Sequence, residues 1–154
     1  MIVLPQLSRI DHVGIACRDL DAAIGRYQAT FGLEVVSLEV NEEQGVREAM
    51  LAVGGAPLMA VAAGDPRSGY VQLLEPLGPD TPVGRFLARR GEGLHHVGYG
   101  VDDIATALAE IGGLGVRLLD QRPRHGSMGA SIAFLHPADL GGVLTELVQA
   151  ADPA

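Results

Sequence analysis

Two stretches of this chain match each other at a constant spacing. Ile10 to Leu20 reads IDHVGIACRDL, and Leu94 to Ile104, within GEGLHHVGYGVDDI, reads LHHVGYGVDDI. His96 falls on His12, Val97 on Val13, Gly98 on Gly14, Asp103 on Asp19 and Ile104 on Leu20, an offset of 96 − 12 = 84 throughout. The offset carries on through Ala107, Leu108 and Ile111, which answer Ala23, Ile24 and Tyr27. Near the end of the chain, the stretch within Gly142 to Gln149 parallels that within Gly69 to Pro76, and an offset of 146 − 72 = 74 sets Glu146 on Gln72. A repeat of this length constrains the architecture before any local reading, because each copy is one supersecondary unit and the fold must accommodate both.

The first copy reads as strand, helix and three strands. Ile10 to Cys17 alternates, with Val13, Ile15 and Cys17 on one face and His12, Gly14 and Ala16 on the other. Asp19 is a predicted N-cap, Leu20, Ala23, Ile24, Tyr27 and Phe31 recur at helical spacing, and Gly32 stops the helix. Strands are predicted at Leu33 to Val40, at Val46 to Val53 and at Tyr70 to Glu75. In the middle one Ala49, Leu51 and Val53 form an apolar face, while Glu48 points the other way beside Val46 and Met50. Gly54 to Gly69 reads as a long connection with a short apolar element at Leu58 to Val61. Thr81-Pro82 opens a helix running to Arg90, proline being suited to the first helical position.

The second copy retraces the first. It has a strand at Leu94 to Val101 and an Asp103-capped helix ended by Gly113 and Gly115. Strands are predicted at Val116 to Leu119, Ala130 to Leu135 and Gly142 to Gln149, with a loop at Gln121 to Gly129. The order βαβββ–βαβββ predicts an α+β fold in which two tandem modules curl a mixed sheet around a cleft, helices outside. Module one spans about 8–77, a linker helix about 81–90 and module two about 92–150, all within one domain covering 1–154.

Composition narrows the class of partner. An apolar fraction of 47% with 19% charged residues is that of a globular chain. A net charge of −8 argues against nucleic acid, which needs clustered Lys and Arg, though not against a small anionic ligand held locally. The single Cys17 cannot close an internal disulfide, no apolar run approaches the ~20 residues of a membrane span, and the start MIVLPQLSRI lacks a basic leader. A soluble cytoplasmic protein is the expectation.

Alternation places His12, Glu48, Gln72, His96 and Glu146 on the cleft side together. Two imidazoles, a carboxylate and an amide oxygen suit a divalent ion in octahedral coordination, with two positions left for water or substrate, better than a closed tetrahedral zinc. Each copy supplies one His and one Gln or Glu at matching places. His95 faces the opposite way and reads as packed, His136 as structural at a turn, Cys17 as a small core residue. His125 lies in the loop RPRHGSMG.

The paired modules resemble the vicinal oxygen chelate superfamily. Within it, IDHVGIA, NEEQGVREAML, QLLEPLGPDTPVGRFL, GEGLHHVGYGVDDI, PRHGSMG and FLHPADLGGVLTEL are similar to the methylmalonyl-CoA epimerase family over nearly the whole chain, departing at Gly54 to Gly69. The resemblance implies His12, Gln72, His96 and Glu146 as ligands of one metal ion per chain, and Glu48 as an unliganded acid/base group. It implies cobalt, with manganese, nickel and zinc open, an acyl-CoA substrate and a homodimer. Epimerisation then needs an acid/base group on each side of a planar enolate, a task for Glu48 and Glu146 from different modules, or for Glu48 and a metal-bound water. Arg122 and Arg124, with the backbone N–H groups of Ser127 and Gly129, are candidate substrate contacts. Rival readings are a glyoxalase-type isomerase, an extradiol-type dioxygenase, and a metal-free binding module on the same scaffold.

Overall fold

The computed structural model describes residues 4–54 and 69–152. The expected apolar element at Leu58 to Val61 lies outside these described residues. The chain divides into two compact units, one of residues 12–95 and one of residues 96–154 joined by the N-terminal residues up to Asp11.

The first unit carries β1 (Arg9–Ala16, from His12 onward), α1 (Leu20–Phe31), β2 (Val35–Asn41), β3 (Val46–Val53), β4 (Gly69–Pro76) and α2 (Pro82–Arg90). Its strands lie in the order β2-β3-β4-β1. β2 pairs antiparallel with β3 and β3 antiparallel with β4, while β4 pairs with β1 in parallel, Gly14 opposite Gln72. The helix starts where the sequence says it should: the Asp19 carboxylate accepts from the Ala22 N–H at 3.0 Å. Gly32 ends it with φ 67°, a left-handed conformation that costs glycine little. α1 buries Leu20 and Ala23, with Cys17, against Ala49, Leu51 and Leu73 on one face of the sheet. On the other face Val83 and Leu87 of α2 meet Ala16, Val46 and Leu74. α2 needs its glycine, because a Cβ on Gly84 would sit 2.3 Å from the Gly78 carbonyl oxygen.

The second unit repeats this plan with β5 (Gly93–Gly100, from His96 onward), α3 (Ile104–Gly113), β6 (Arg124–His125), β7 (Ser131–Leu135) and β8 (Thr145–Gln149). The order is β5-β8-β7-β6, again with one parallel pair, β5 and β8, and antiparallel pairs beyond it. Gly98 stands opposite Glu146 as Gly14 stands opposite Gln72. Asp103 caps α3 through the Thr106 N–H at 3.0 Å. Ile104, Ala107, Leu108 and Ile111 pack on Ala133, Leu135 and Leu147. In both units the last strand also reaches the helix start: Glu75 Oε2 accepts from Leu20 N at 2.7 Å, and Gln149 Oε1 from Ile104 N at 3.0 Å.

Two local expectations are corrected. Val116 to Leu119 forms no strand, only a single bridge between Leu118 and Leu135. The reason is Asp120, whose carboxylate Oδ2 accepts from the Phe134 N–H at 2.9 Å and takes the place of a ladder partner there. The second strand of this module lies instead in the expected loop, as the two-residue β6. Val53 closes no apolar face either: at the end of β3 it is 42% exposed, whereas Ala49 and Leu51 are fully buried.

Candidate functional site

On the face of the first unit opposite α1, three polar side chains are buried in a row of otherwise apolar neighbours. His12 is 3% exposed, Glu48 2% and Gln72 5%. Strand alternation puts them there, since Ala16, Val46 and Leu74 share that face and pack under α2. Gln72 Nε2 donates to Glu48 Oε2 at 3.0 Å. That bond orients the amide: its nitrogen is committed to Glu48, so its oxygen is the atom the residue offers a cation.

The second unit presents the counterpart. His96 and Glu146 are 3% and 4% exposed, with His96 Nε2 and Glu146 Oε2 3.5 Å apart. The His96 ring meets the Phe134 ring edge-on, centroids 5.4 Å apart at 84°. Phe134 is also the cross-strand partner of Glu146. Phe134 also packs against the buried cluster of Ala130, Ile132 and Val148 on the same face of the sheet.

Imidazole nitrogen, carboxylate oxygen and amide oxygen are donors that suit a borderline or hard divalent cation. The residues expected as ligands, His12, Gln72, His96 and Glu146, are all buried, and Glu48 is hydrogen-bonded to one of them, Gln72.

The remaining expectations resolve individually. Cys17 is a core residue: its Sγ lies 3.4 Å from the Leu74 carbonyl oxygen. Burial first, and then the carboxylates of Glu75, Glu92 and Asp19, push its thiol up to about 11, so it is inert as a nucleophile. His95 packs edge-on against Phe86 at 4.9 Å, and burial lowers its pKa to about 4. His136 is a turn residue whose Nδ1 accepts from the Ala138 N–H at 3.1 Å. His125 is exposed on β6.

Ser127 to Gly129 forms a short 3-10 turn, with Met128 at φ 58° and Gly129 at φ 73°. Such a left-handed conformation at a non-glycine residue is uncommon. Arg122 is exposed, while Arg124 is half-buried and donates through Nη1 to Asp120 Oδ1 at 3.2 Å. Two residues of this neighbourhood, Asp120 and Phe134, escaped the sequence reading. The signal for Phe134 was available, since it lies 84 positions after Met50, the neighbour of Gln72. Asp120 follows an apolar run and carries no such mark.

Residues 11–134 match the model of the Glyoxalase/Bleomycin resistance protein/Dioxygenase superfamily. A methylmalonyl-CoA epimerase solved in complex with methylmalonyl-CoA and NH4+ is 53% identical, covering 95% of this chain and 96% of that one, with a TM-score of 0.87. A substituted Streptomyces coelicolor methylmalonyl-CoA epimerase in complex with 2-nitronate-propionyl-CoA is 52% identical over 96% of this chain and 100% of that one, again at a TM-score of 0.87. The mitochondrial methylmalonyl-CoA epimerase of Bos taurus is 34% identical over 94% of this chain and 75% of its own length. With matches of this extent to a repeat whose buried donors recur in register, the chain belongs to the glyoxalase/bleomycin resistance protein/dioxygenase superfamily, that of the vicinal oxygen chelate fold, and within it to the methylmalonyl-CoA epimerases, which are isomerases.

Proposed function

We propose that this chain interconverts (2R)- and (2S)-methylmalonyl-CoA by removing the proton at C2 and returning it through a planar enolate. The observation that carries the reading is Glu48. It is a buried acid held 3.0 Å from the amide nitrogen of a ligand candidate, on the face that also carries His12. The names of the relatives agree with it, and a nitronate in one of their ligands has the planar, charge-delocalised form of the intermediate.

In this reading the two units act as one domain. His12 and Gln72 from one, with His96 and Glu146 from the other, would hold one divalent ion, cobalt being favoured and manganese, nickel or zinc the alternatives, and that ion would supply Lewis-acid stabilisation of the enolate charge. The residues do the rest. Gln72 fixes the Glu48 carboxylate by Oε2, which assigns the exchange of the C2 proton to Oε1 on one side of the enolate. Glu146 serves the other side through its second oxygen. The apolar cluster of Ala130, Ile132 and Val148 beside Phe134 keeps water from the Glu146 side of the site. Arg124, with the backbone N–H groups of Ser127 and Gly129, contacts the anionic parts of the acyl-CoA, and the protein works as a homodimer. Among the described residues no helix is long and apolar enough to cross a membrane, in keeping with a water-borne thioester substrate.

The test follows racemisation of single epimers of methylmalonyl-CoA by coupling to a stereospecific mutase, before and after chelation. Activity that disappears with the chelator and returns with Co²⁺ is the expected result. A purified protein that contains no divalent ion, and that none activates, would leave the scaffold as a metal-free binding module and overturn the proposal.

A further inference from the structure

We propose that Asp120 is a positioning residue that sets both the ring behind His96 and the cation beside the substrate; the second half of this rests on the acyl-CoA reading above. Asp120 lies where the second module lacks a full-length strand. Its Oδ2 accepts from Phe134 N at 2.9 Å, and the Phe134 carbonyl oxygen in turn accepts from Leu119 N at 2.9 Å and Asp120 N at 3.3 Å. The backbone of Phe134 is therefore clamped on both of its polar groups from one short segment. The ring carried by that backbone meets His96 edge-on at 5.4 Å, and its cross-strand neighbour is Glu146.

The other carboxylate oxygen acts elsewhere. Oδ1 accepts from Arg124 Nη1 at 3.2 Å, with the Asp120 side chain 13% exposed and that of Arg124 29%. Arg124 stands in register with Ile132, and Ile132 in register with Val148, so these side chains leave the sheet on one face. Phe134 and Glu146, two positions along on either strand, share that face. A single side chain thus ties the orientation of a guanidinium on the site face to the packing of a candidate metal ligand. Charge-assisted pairing of this kind is stronger than a neutral hydrogen bond, and it holds the planar guanidinium in one orientation.

Three substitutions separate the halves. Asp120→Asn keeps an oxygen for the Phe134 N–H and removes the charge that orients Arg124. The expected result is a KM for methylmalonyl-CoA raised about tenfold, with kcat and Co²⁺ affinity near wild type. Asp120→Ala removes both contacts. It is expected to show the same KM change, a displaced pair of His96 ring resonances in ¹³C-histidine-labelled protein, and Co²⁺ binding about tenfold weaker. Phe134→Leu, with Asp120 intact, is expected to reproduce the resonance shift and the weaker Co²⁺ binding without the KM change. Thermal melts of all three separate these effects from loss of fold, Asp120→Asn being the mild variant. An Asp120→Asn enzyme with wild-type KM overturns the substrate half, and an Asp120→Ala protein with wild-type His96 resonances overturns the ligand half. A wild-type protein that binds no Co²⁺ counts against the metal reading instead, because the His96 resonances are read without metal.

Discussion

The two repeats keep the same plan of strands and helix and differ at some of the buried polar positions that the proposed chemistry uses. Gly14 faces Gln72 in one parallel pair and Gly98 faces Glu146 in the other. The positions that pair next to them hold the same 84-residue offset: Met50 opposite Gln72 becomes Phe134 opposite Glu146, and Glu48 opposite Leu74 becomes Ile132 opposite Val148. One copy thus carries an acid where the other carries a branched hydrocarbon, both buried. The histidine is common to both copies, the terminal-strand donor changes from amide to carboxylate, and the acid is present once. In the reading proposed above, the two sides of the substrate meet different groups, Glu48 tied to the Gln72 amide and Glu146 beside the His96 imidazole.

That asymmetry predicts the largest effect. Glu48→Gln is expected to lower kcat by about 10²- to 10⁴-fold and to abolish entry of solvent deuterium from one of the two epimers. Ile132→Val, its counterpart in the other copy, is expected to leave exchange from both epimers intact. Wash-in from both epimers at the wild-type rate in the Glu48 variant would remove that residue from the chemistry and erase the distinction between the halves.

The next comparison concerns what the copies share. Leu73 and Leu147 occupy equivalent places on the terminal strands and are 0% and 1% exposed, each beneath its own helix. Leu73→Ala and Leu147→Ala are each expected to destabilise by about 2–5 kcal/mol, read by urea denaturation, and to do so about equally. A large inequality would show that the two helix-on-sheet cores carry different shares of the stability.

A smaller effect separates positions 11 and 95, which are also 84 apart. Asp11 is ion-paired, its Oδ1 2.8 Å from Arg9 Nη2, whereas His95 packs against Phe86 and is held neutral by burial. The folded pKa of His95, about 4, lies below the ordinary value of 6.5, so the unfolded chain takes up the proton first. Its contribution to stability is therefore complete above about 6.5 and is lost as the pH falls toward 4. His95→Phe is expected to flatten this part of the stability curve in thermal melts across that window. Parallel curves for variant and wild type would place the acid sensitivity elsewhere.

Much of this was legible because a repeat constrains each residue twice. The offset of 84 correctly paired β1 with β5 and α1 with α3, and period-two alternation put His12, Glu48, Gln72, His96 and Glu146 on the faces where they are buried. The capping aspartates were readable from type and position alone. What escaped depends on contacts between side chain and backbone that leave no periodic trace. Val116 to Leu119 has the composition of a strand, and only the Asp120 carboxylate at Phe134 N diverts the ladder. The bond from Gln72 to Glu48 joins adjacent strands, and neither residue's spacing announces it.

The clasp from terminal strand to helix start has a consequence of its own. Glu75 reaches back 55 residues to Leu20, and Gln149 reaches back 45 to Ile104. Each contact satisfies a backbone donor that the first turn of a helix cannot satisfy itself, and in doing so it closes its own copy of the motif into a ring. A ring of this kind needs nothing from its sibling to be complete. Each copy therefore carries its own fastener, a carboxylate in one and an amide oxygen in the other.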